Sequence, residues 1–177
     1  SRLPHVEFCG ADRSEAMLAE ARRNVPGVEF IEADAFALPF EDGRFDAVTT
    51  ILFIRHFNAD DRARLCGEIR RVLAPHGVLI MDVANRLHHQ ELIKDRPVYD
   101  EIYTRGEFTA EMKTQGFTVE EFIGLPVQSR VLRKLLSLFP AGSIRLGAEV
   151  FANRLLRRRE GFMADAPVWL ARCRKDS

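Results

Sequence analysis

Residues 28–48 read VEFIEADAFALPFEDGRFDAV (Val28–Val48), and the way this stretch divides decides the fold. Val28–Ala33 is a short apolar run closed by Asp34, a strand pattern. Pro39 and the pair Asp42-Gly43 mark a loop, because proline presets φ and glycine accepts the left-handed turn. Phe45–Leu52 (FDAVTTIL) then runs nearly unbroken in apolar and β-branched residues, as strands of a buried parallel sheet require. Upstream, Val6–Ala11 (VEFCGA) reads as a strand ending at Asp12. Ser14 is placed to cap a helix whose first turn carries Glu15 and whose apolar face is Met17, Leu18 and Ala21; Pro26-Gly27 stops it. Downstream, Asn58 or Asp60 caps a helix with the face Leu65, Ile69, Val72 and Leu73. Pro75-His76-Gly77 ends it before a fourth strand, Val78–Val83. Strands alternating with amphipathic helices predict an α/β fold with a mostly parallel sheet.

The second half is patterned differently. Arg86–Arg96 is polar and helical in composition, and Thr109–Thr114 reads as a short helix ended by Gly116. Phe117–Ile123 and Val168–Arg174 read as strands. Between them lies a helical insertion, 124–167, with one apolar face at Val131, Leu132, Leu135, Leu138 and Phe139 and a second at Ile144, Ala148, Phe151 and Leu155. The expectation is one domain over 1–177, with a ligand-binding half at 1–85 and a C-terminal half at 86–177.

Composition narrows the function classes. Of 177 residues, 46% are hydrophobic and 29% charged, an ordinary globular balance. Lys plus Arg and Asp plus Glu are 26 each, so the basic excess of a general nucleic-acid binder is missing. No apolar stretch has the length of a membrane-spanning helix, and SRLPHVEF lacks the pattern of a secretion signal. Cys9, Cys66 and Cys173 are scattered and form no paired motif, which predicts a reducing, cytoplasmic location; Cys9 and Cys66, within apolar patterns, read as small core residues. His88, His89 and Glu91 resemble a metal cluster only superficially, since adjacent helical residues point apart. No metal is expected. The basic run Arg154–Arg159 reads as a solvated face.

Chemistry concentrates at the strand ends. In an open α/β sheet, ligands bind beyond the carboxyl ends of the strands. Asp12 and Asp34 stand there, and a carboxylate offers two acceptor oxygens to a vicinal diol or an amine. Together, VEFCGADRSEAMLAEAR (Val6–Arg22), VEFIEADAFALPFEDGRFDAV (Val28–Val48) and EIRRVLAPHGVLIMDV (Glu68–Val83) resemble class I S-adenosylmethionine-dependent methyltransferases of the small-molecule type. The resemblance covers the first half well and the tail in outline. It implies a Rossmann-like, mostly parallel sheet with an antiparallel C-terminal strand, S-adenosylmethionine as cofactor and a small-molecule methyl acceptor.

Residue by residue, the resemblance implies that Asp12 holds the ribose hydroxyls. It implies that Asp34 takes the adenine amine, with the amide of Ala35 facing a ring nitrogen. Arg13, Met17 and Phe36 would pack around the adenine, and Thr50 would lie beside the methionine part. His56 falls where relatives often carry a histidine near the transferred methyl, and imidazole is suited to proton transfer near neutral pH. The plainer alternatives are a helix cap for Asp12, a turn for Asp34 and core packing for Met17. Tyr99 and Tyr103 line an acceptor pocket or pack in the core.

One departure from the family stands out: the family's first strand and its glycine-rich loop, which would come before the strand ending at Asp12, are missing from the pattern. That unit would add roughly 30 residues and a central strand. The expectation is an N-terminally truncated domain whose sheet splits into two parts with exposed facing edges, poorly stable or weak in cofactor binding when expressed alone. Two competing classes follow: a structural or binding module without the cofactor loop, or a nucleotide-dependent oxidoreductase, which the L-P-F…F-D-A-V pattern opposes.

Overall fold

The computed structural model describes residues 6–86, 101–125, 166 and 168–176. The strands are β1 (Cys9–Asp12), β2 (Glu29–Glu32), β3 (Phe45–Thr50), β4 (Leu73–Asn85), β5 (Ile102–Tyr103), β6 (Phe117–Leu125) and β7 (Val168–Lys175). The helices are α1 (Glu15–Asn24), α2 (Ala59–Val72) and α3 (Arg105–Thr114), with a 3-10 turn at Ile54–His56. Residues 87–96, Tyr99 and nearly all of the 124–167 insertion lie outside the described residues, as do His88, His89, Glu91 and Arg154–Arg159. Among the described residues no helix is long and apolar enough to cross a membrane.

The strands form two sheets. β1 and β2 pair in parallel, Asp12 opposite Glu32. The other sheet runs β3-β4-β7-β6, with β5 beside β4. β3 and β5 lie parallel to β4, whereas β7 lies antiparallel to both β4 and β6. This is the expected Rossmann-like α/β arrangement with an antiparallel C-terminal strand. Among the described residues β1 pairs only with β2 and β3 only with β4, so each keeps one edge without a strand partner, as anticipated.

The two-stranded part is thin. Leu18 is its buried anchor on α1, while Met17 is 60% exposed, so the predicted Met17–Leu18–Ala21 face buries mainly its middle member. Ser14 caps α1 by accepting from Met17 N at 3.4 Å. Gly10 lies under the ring of Phe30, its cross-strand partner; a Cβ at that position would stand 2.5 Å from a ring carbon. The five-stranded sheet holds the main core. Leu79, Met81 and Val83 of β4 lie in register with Cys173, Ala171 and Trp169 of β7, and α2 and α3 add Cys66, Ile69, Phe108 and Met112. Of the two cysteines expected in the core, Cys66 is buried and Cys9 is only half-buried; Cys173 is buried as well, and burial pushes the Cys66 and Cys173 thiols up to about 11 and about 12 respectively.

Several boundaries differ from the pattern reading. α3 begins at Arg105 rather than Thr109, because Thr104 and Glu107 form a reciprocal capping box. β3 stops at Thr50, two residues early, because Leu52 turns into the left-handed region at φ 57°. Asn58 is the cap of α2, accepting from Asp61 N at 2.9 Å. Tyr103 belongs to the core, edge-on to Phe108, with its hydroxyl donating to Glu111 at 2.8 Å. Arg62, buried on α2, forks onto Glu111 of α3 at 2.8 and 3.1 Å and reaches Glu101 at 3.1 Å. These bonds brace the two helices against β5.

The loop between β2 and β3 is fastened to α2. Leu38 N donates to Glu68 at 2.7 Å, and Arg71 donates to the carbonyls of Leu38 and Phe40 and to Asp42. Gly43, at φ 70°, returns its amide to the Arg71 carbonyl at 2.9 Å. Hydrogen bonds from Arg71, chiefly, and from Leu38 N hold the Glu68 carboxyl below its ordinary value. A carboxyl depressed in the folded state stabilises it fully above the unfolded value and loses that contribution as pH falls through the folded one. Acid unfolding of the wild type therefore gains from Glu68 below the ordinary value of 4.5, and Glu68→Gln flattens the stability profile there. Urea midpoints at pH 3 to 6 measure this, and parallel profiles for the two proteins would contradict it.

Candidate functional site

Parallel pairing places Asp12 at the carboxyl end of β1 and Asp34 just past the end of β2, at the same end of the two-stranded sheet. Both are exposed. Asp12 Oδ1 accepts from Ser14 N at 2.7 Å and Asp34 Oδ1 from Phe36 N at 3.0 Å, so each carboxylate is steadied by the amide two residues on. Neither Oδ2 takes a hydrogen bond from the described residues. Ala33 N donates to the Asp12 carbonyl at 3.0 Å, and a turn from Asp34 to Ala37 follows, with Ala35 inside it. The helix cap is thus Ser14, while both aspartates make local turns that leave one oxygen each facing outward. Arg13 is exposed between β1 and α1, and Met17 is exposed on the helix rather than packed in the core.

Phe36 joins this pair of acids to the end of β3. Its ring meets Phe57 edge-on at 5.6 Å, and Phe57 meets Phe53 at 5.1 Å. The Arg64 guanidinium lies 4.6 Å from the Phe36 ring centroid, a cation–π contact. Phe53, Phe57 and Arg64 escaped the sequence reading; the aromatic spacing in ILFIRHF (Ile51–Phe57) signalled the two phenylalanines, and nothing local signalled Arg64. Thr50 ends β3, half-buried, with Oγ1 free of hydrogen-bond partners. His56 closes the 3-10 turn, half-buried, its amide donating to Phe53 O at 3.1 Å. Ile51, Leu52 and Phe53 form an apolar triad 51%, 60% and 38% exposed. Beneath them Asp82, a buried acid in the apolar strand VLIMDV (Val78–Val83), accepts from Leu52 N at 2.7 Å.

Acids and aromatic rings gathered at the carboxyl ends of parallel strands define the class first: a Rossmann-like α/β domain, a fold in which ligands bind at the strand ends. Comparison with known proteins narrows it. Residues 2–81 match the family described as a methyltransferase domain. A demethylmenaquinone methyltransferase of Thermus thermophilus is 49% identical over 84 residues, 45% of this chain and 37% of that protein. A probable S-adenosylmethionine-dependent methyltransferase of Mycolicibacterium smegmatis is 32% identical over 120 residues, 66% of this chain and 45% of that protein. The chain therefore spans less than half the length of these curated relatives. Among solved structures, a Haloferax volcanii putative methyltransferase in complex with the Trm112 activator superposes over 97% of this chain and 73% of its own, at TM-score 0.67 and 17% identity, a likeness of fold. Over residues 2–81 the chain is similar to S-adenosylmethionine-dependent methyltransferases, and its fold is the Rossmann-like fold of that class.

Leu52 is a strained element of this site, since a left-handed conformation costs a residue with a Cβ about 1–2 kcal/mol and asparagine tolerates it better. Its side chain is 60% exposed, so Leu52→Asn loses little packing. The expected outcome is a melting temperature higher by about 2–4 °C in scanning calorimetry. A lower value would show that Leu52 earns its place by contacts rather than tolerating strain.

Proposed function

We propose that this chain holds S-adenosylmethionine at the ends of β1, β2 and β3 and transfers its methyl group to a small apolar acceptor. The observation that carries the proposal is the pair of exposed carboxylates, Asp12 and Asp34, each with one oxygen steadied by a backbone amide and the other unengaged. That donor set fits a nucleoside: Asp12 receives the ribose diol, and Asp34 the adenine amine beside the Ala35 amide. Arg13, Met17 and Phe36 flank the adenine, and Thr50 borders the methionine part. Exposure of Met17 on α1 supports a contact role for it.

The bound cofactor supplies a methyl group on a sulfonium, already a strong electrophile. The protein's share is alignment and the exclusion of water. Ile51, Leu52 and Phe53 offer an apolar surface beside the strand end, which suits an acceptor with a hydrocarbon or aromatic body. The name of the Thermus thermophilus relative, a demethylmenaquinone methyltransferase, agrees with that chemistry. His56, in the same turn, takes a proton from the acceptor where the acceptor atom is a weak nucleophile.

Calorimetric titration with S-adenosylhomocysteine tests the cofactor assignment. A charged acceptor of hydrogen bonds is worth about 1.5–3 kcal/mol, so Asp12→Ala weakens binding by about 10–100-fold. Asp34→Asn, which keeps one acceptor oxygen, weakens it less. Affinity for NAD equal to that for S-adenosylhomocysteine, or binding indifferent to both substitutions, would defeat the proposal. With demethylmenaquinone in reduced form as acceptor, His56→Ala lowers kcat and leaves S-adenosylhomocysteine affinity unchanged.

A further inference from the structure

Asp82 is a buried acid with no place in the scheme above. It is 4% exposed, between Met81 and Val83 on the central strand. An apolar side chain would occupy such a position at lower desolvation cost, so its contribution lies in what the carboxylate holds. Oδ1 accepts from the amide of Leu52 at 2.7 Å, and Oδ2 lies 3.7 Å from Arg55 Nε. Both partners belong to the turn 51–57 that follows β3.

Beyond the Asp82–Arg55 pair, backbone tethers from described residues hold that turn. Asp82 holds it at Leu52; the Glu101 amide donates to the Arg55 carbonyl at 2.8 Å; and Arg62 Nη1 donates to the Phe57 carbonyl at 2.8 Å. The first tether alone acts on the residue with φ 57°, and strained backbone persists only where its surroundings over-determine it. The consequence is visible on the surface. With its amide drawn inward to Asp82, Leu52 stands exposed between Ile51 and Phe53, and the turn carries on to His56.

We propose that Asp82 is a positioning residue for the methyl acceptor. Its carboxylate fixes the Leu52 amide and the Arg55 side chain, and so sets the Ile51–Phe53 surface and His56 against the bound acceptor. The assignment rests on the reading that the acceptor packs on that triad. Asp82 touches neither cofactor nor acceptor and acts through the turn.

Two substitutions separate its contributions. Asp82→Asn keeps an acceptor oxygen for Leu52 and removes the charge facing Arg55, whereas Asp82→Ala removes both. Hydrogen–deuterium exchange over residues 49–57 reads the turn directly, S-adenosylhomocysteine titration reads the cofactor site, and methyl transfer to reduced demethylmenaquinone reads the acceptor. In Asp82→Ala, exchange within 51–57 rises by about tenfold or more and the acceptor KM rises by about tenfold, with S-adenosylhomocysteine affinity changed by less than about twofold. Asp82→Asn restores most of the exchange protection and part of the KM. In a Leu52→Gly background, where the left-handed turn carries no strain, the Asp82→Ala effect on exchange shrinks.

Unchanged exchange in Asp82→Ala overturns the assignment. So does a loss in which S-adenosylhomocysteine affinity and kcat fall together while the acceptor KM stays fixed, since that marks a general structural role. Asp82→Asn carries the test if the alanine variant does not fold. A wild-type protein that binds S-adenosylhomocysteine yet methylates no apolar acceptor overturns the functional reading separately, by a measurement independent of exchange.

Discussion

Arg71 fastens the two sheets of this molecule to one another. Its guanidinium donates to the carbonyls of Leu38 and Phe40 and to the Asp42 carboxylate, and Glu68 alongside it takes the Leu38 amide. The loop from β2 to β3 is the covalent route between the sheets, and no strand pairing joins them among the described residues. A loop of that length left free would let Asp34 and Phe36 wander relative to Thr50. Hydrogen bonds from a helix of the larger sheet remove that freedom, and Phe36 then meets Phe57 at a defined angle. The candidate site exists as one site because of this clamp.

The two sheets contribute unequally. β4 lies between β3 and β7, with buried side chains along its carboxyl half, and α2 and α3 cover it with Ile69, Phe108 and Met112. That is enough apolar burial to hold a strand-end geometry firmly. The β1–β2 pair has Leu18 as its buried anchor and leaves Val6, Phe8 and Met17 exposed. Two-stranded sheets are marginal alone, so the acids of the proposed cofactor site sit on the less stable part and the proposed acceptor-side turn on the more stable one. Among the described residues β1 and β3 each keep one edge without a strand partner.

Much of this is legible in the sequence. Asp12 and Asp34 close two apolar runs, and strand-end acids in an α/β pattern point to a ligand crevice whatever the detailed packing. Ser14, Asn58 and Gly43 perform the capping and turning that their residue types favour. Met17 reads as part of a core face because helical periodicity does not reveal how little lies opposite a helix; against a two-stranded sheet, only Leu18 finds cover. β5 escapes notice because two residues carry no periodicity, and Tyr103 resolves to core because its hydroxyl finds Glu111.

The sequence by itself determined the α/β alternation and the acids at the strand ends, because each follows from local periodicity and residue chemistry; the antiparallel last strand was implied only by the resemblance to methyltransferases. Tertiary structure alone decided that Phe36 reaches Phe57 and that Asp82 holds the Leu52 amide thirty residues away in the chain. Those are pairings between distant segments. An aspartate in an apolar strand announces a partner, but which amide it takes is set only when β3 and β4 lie side by side and bring the strained turn within hydrogen-bond reach.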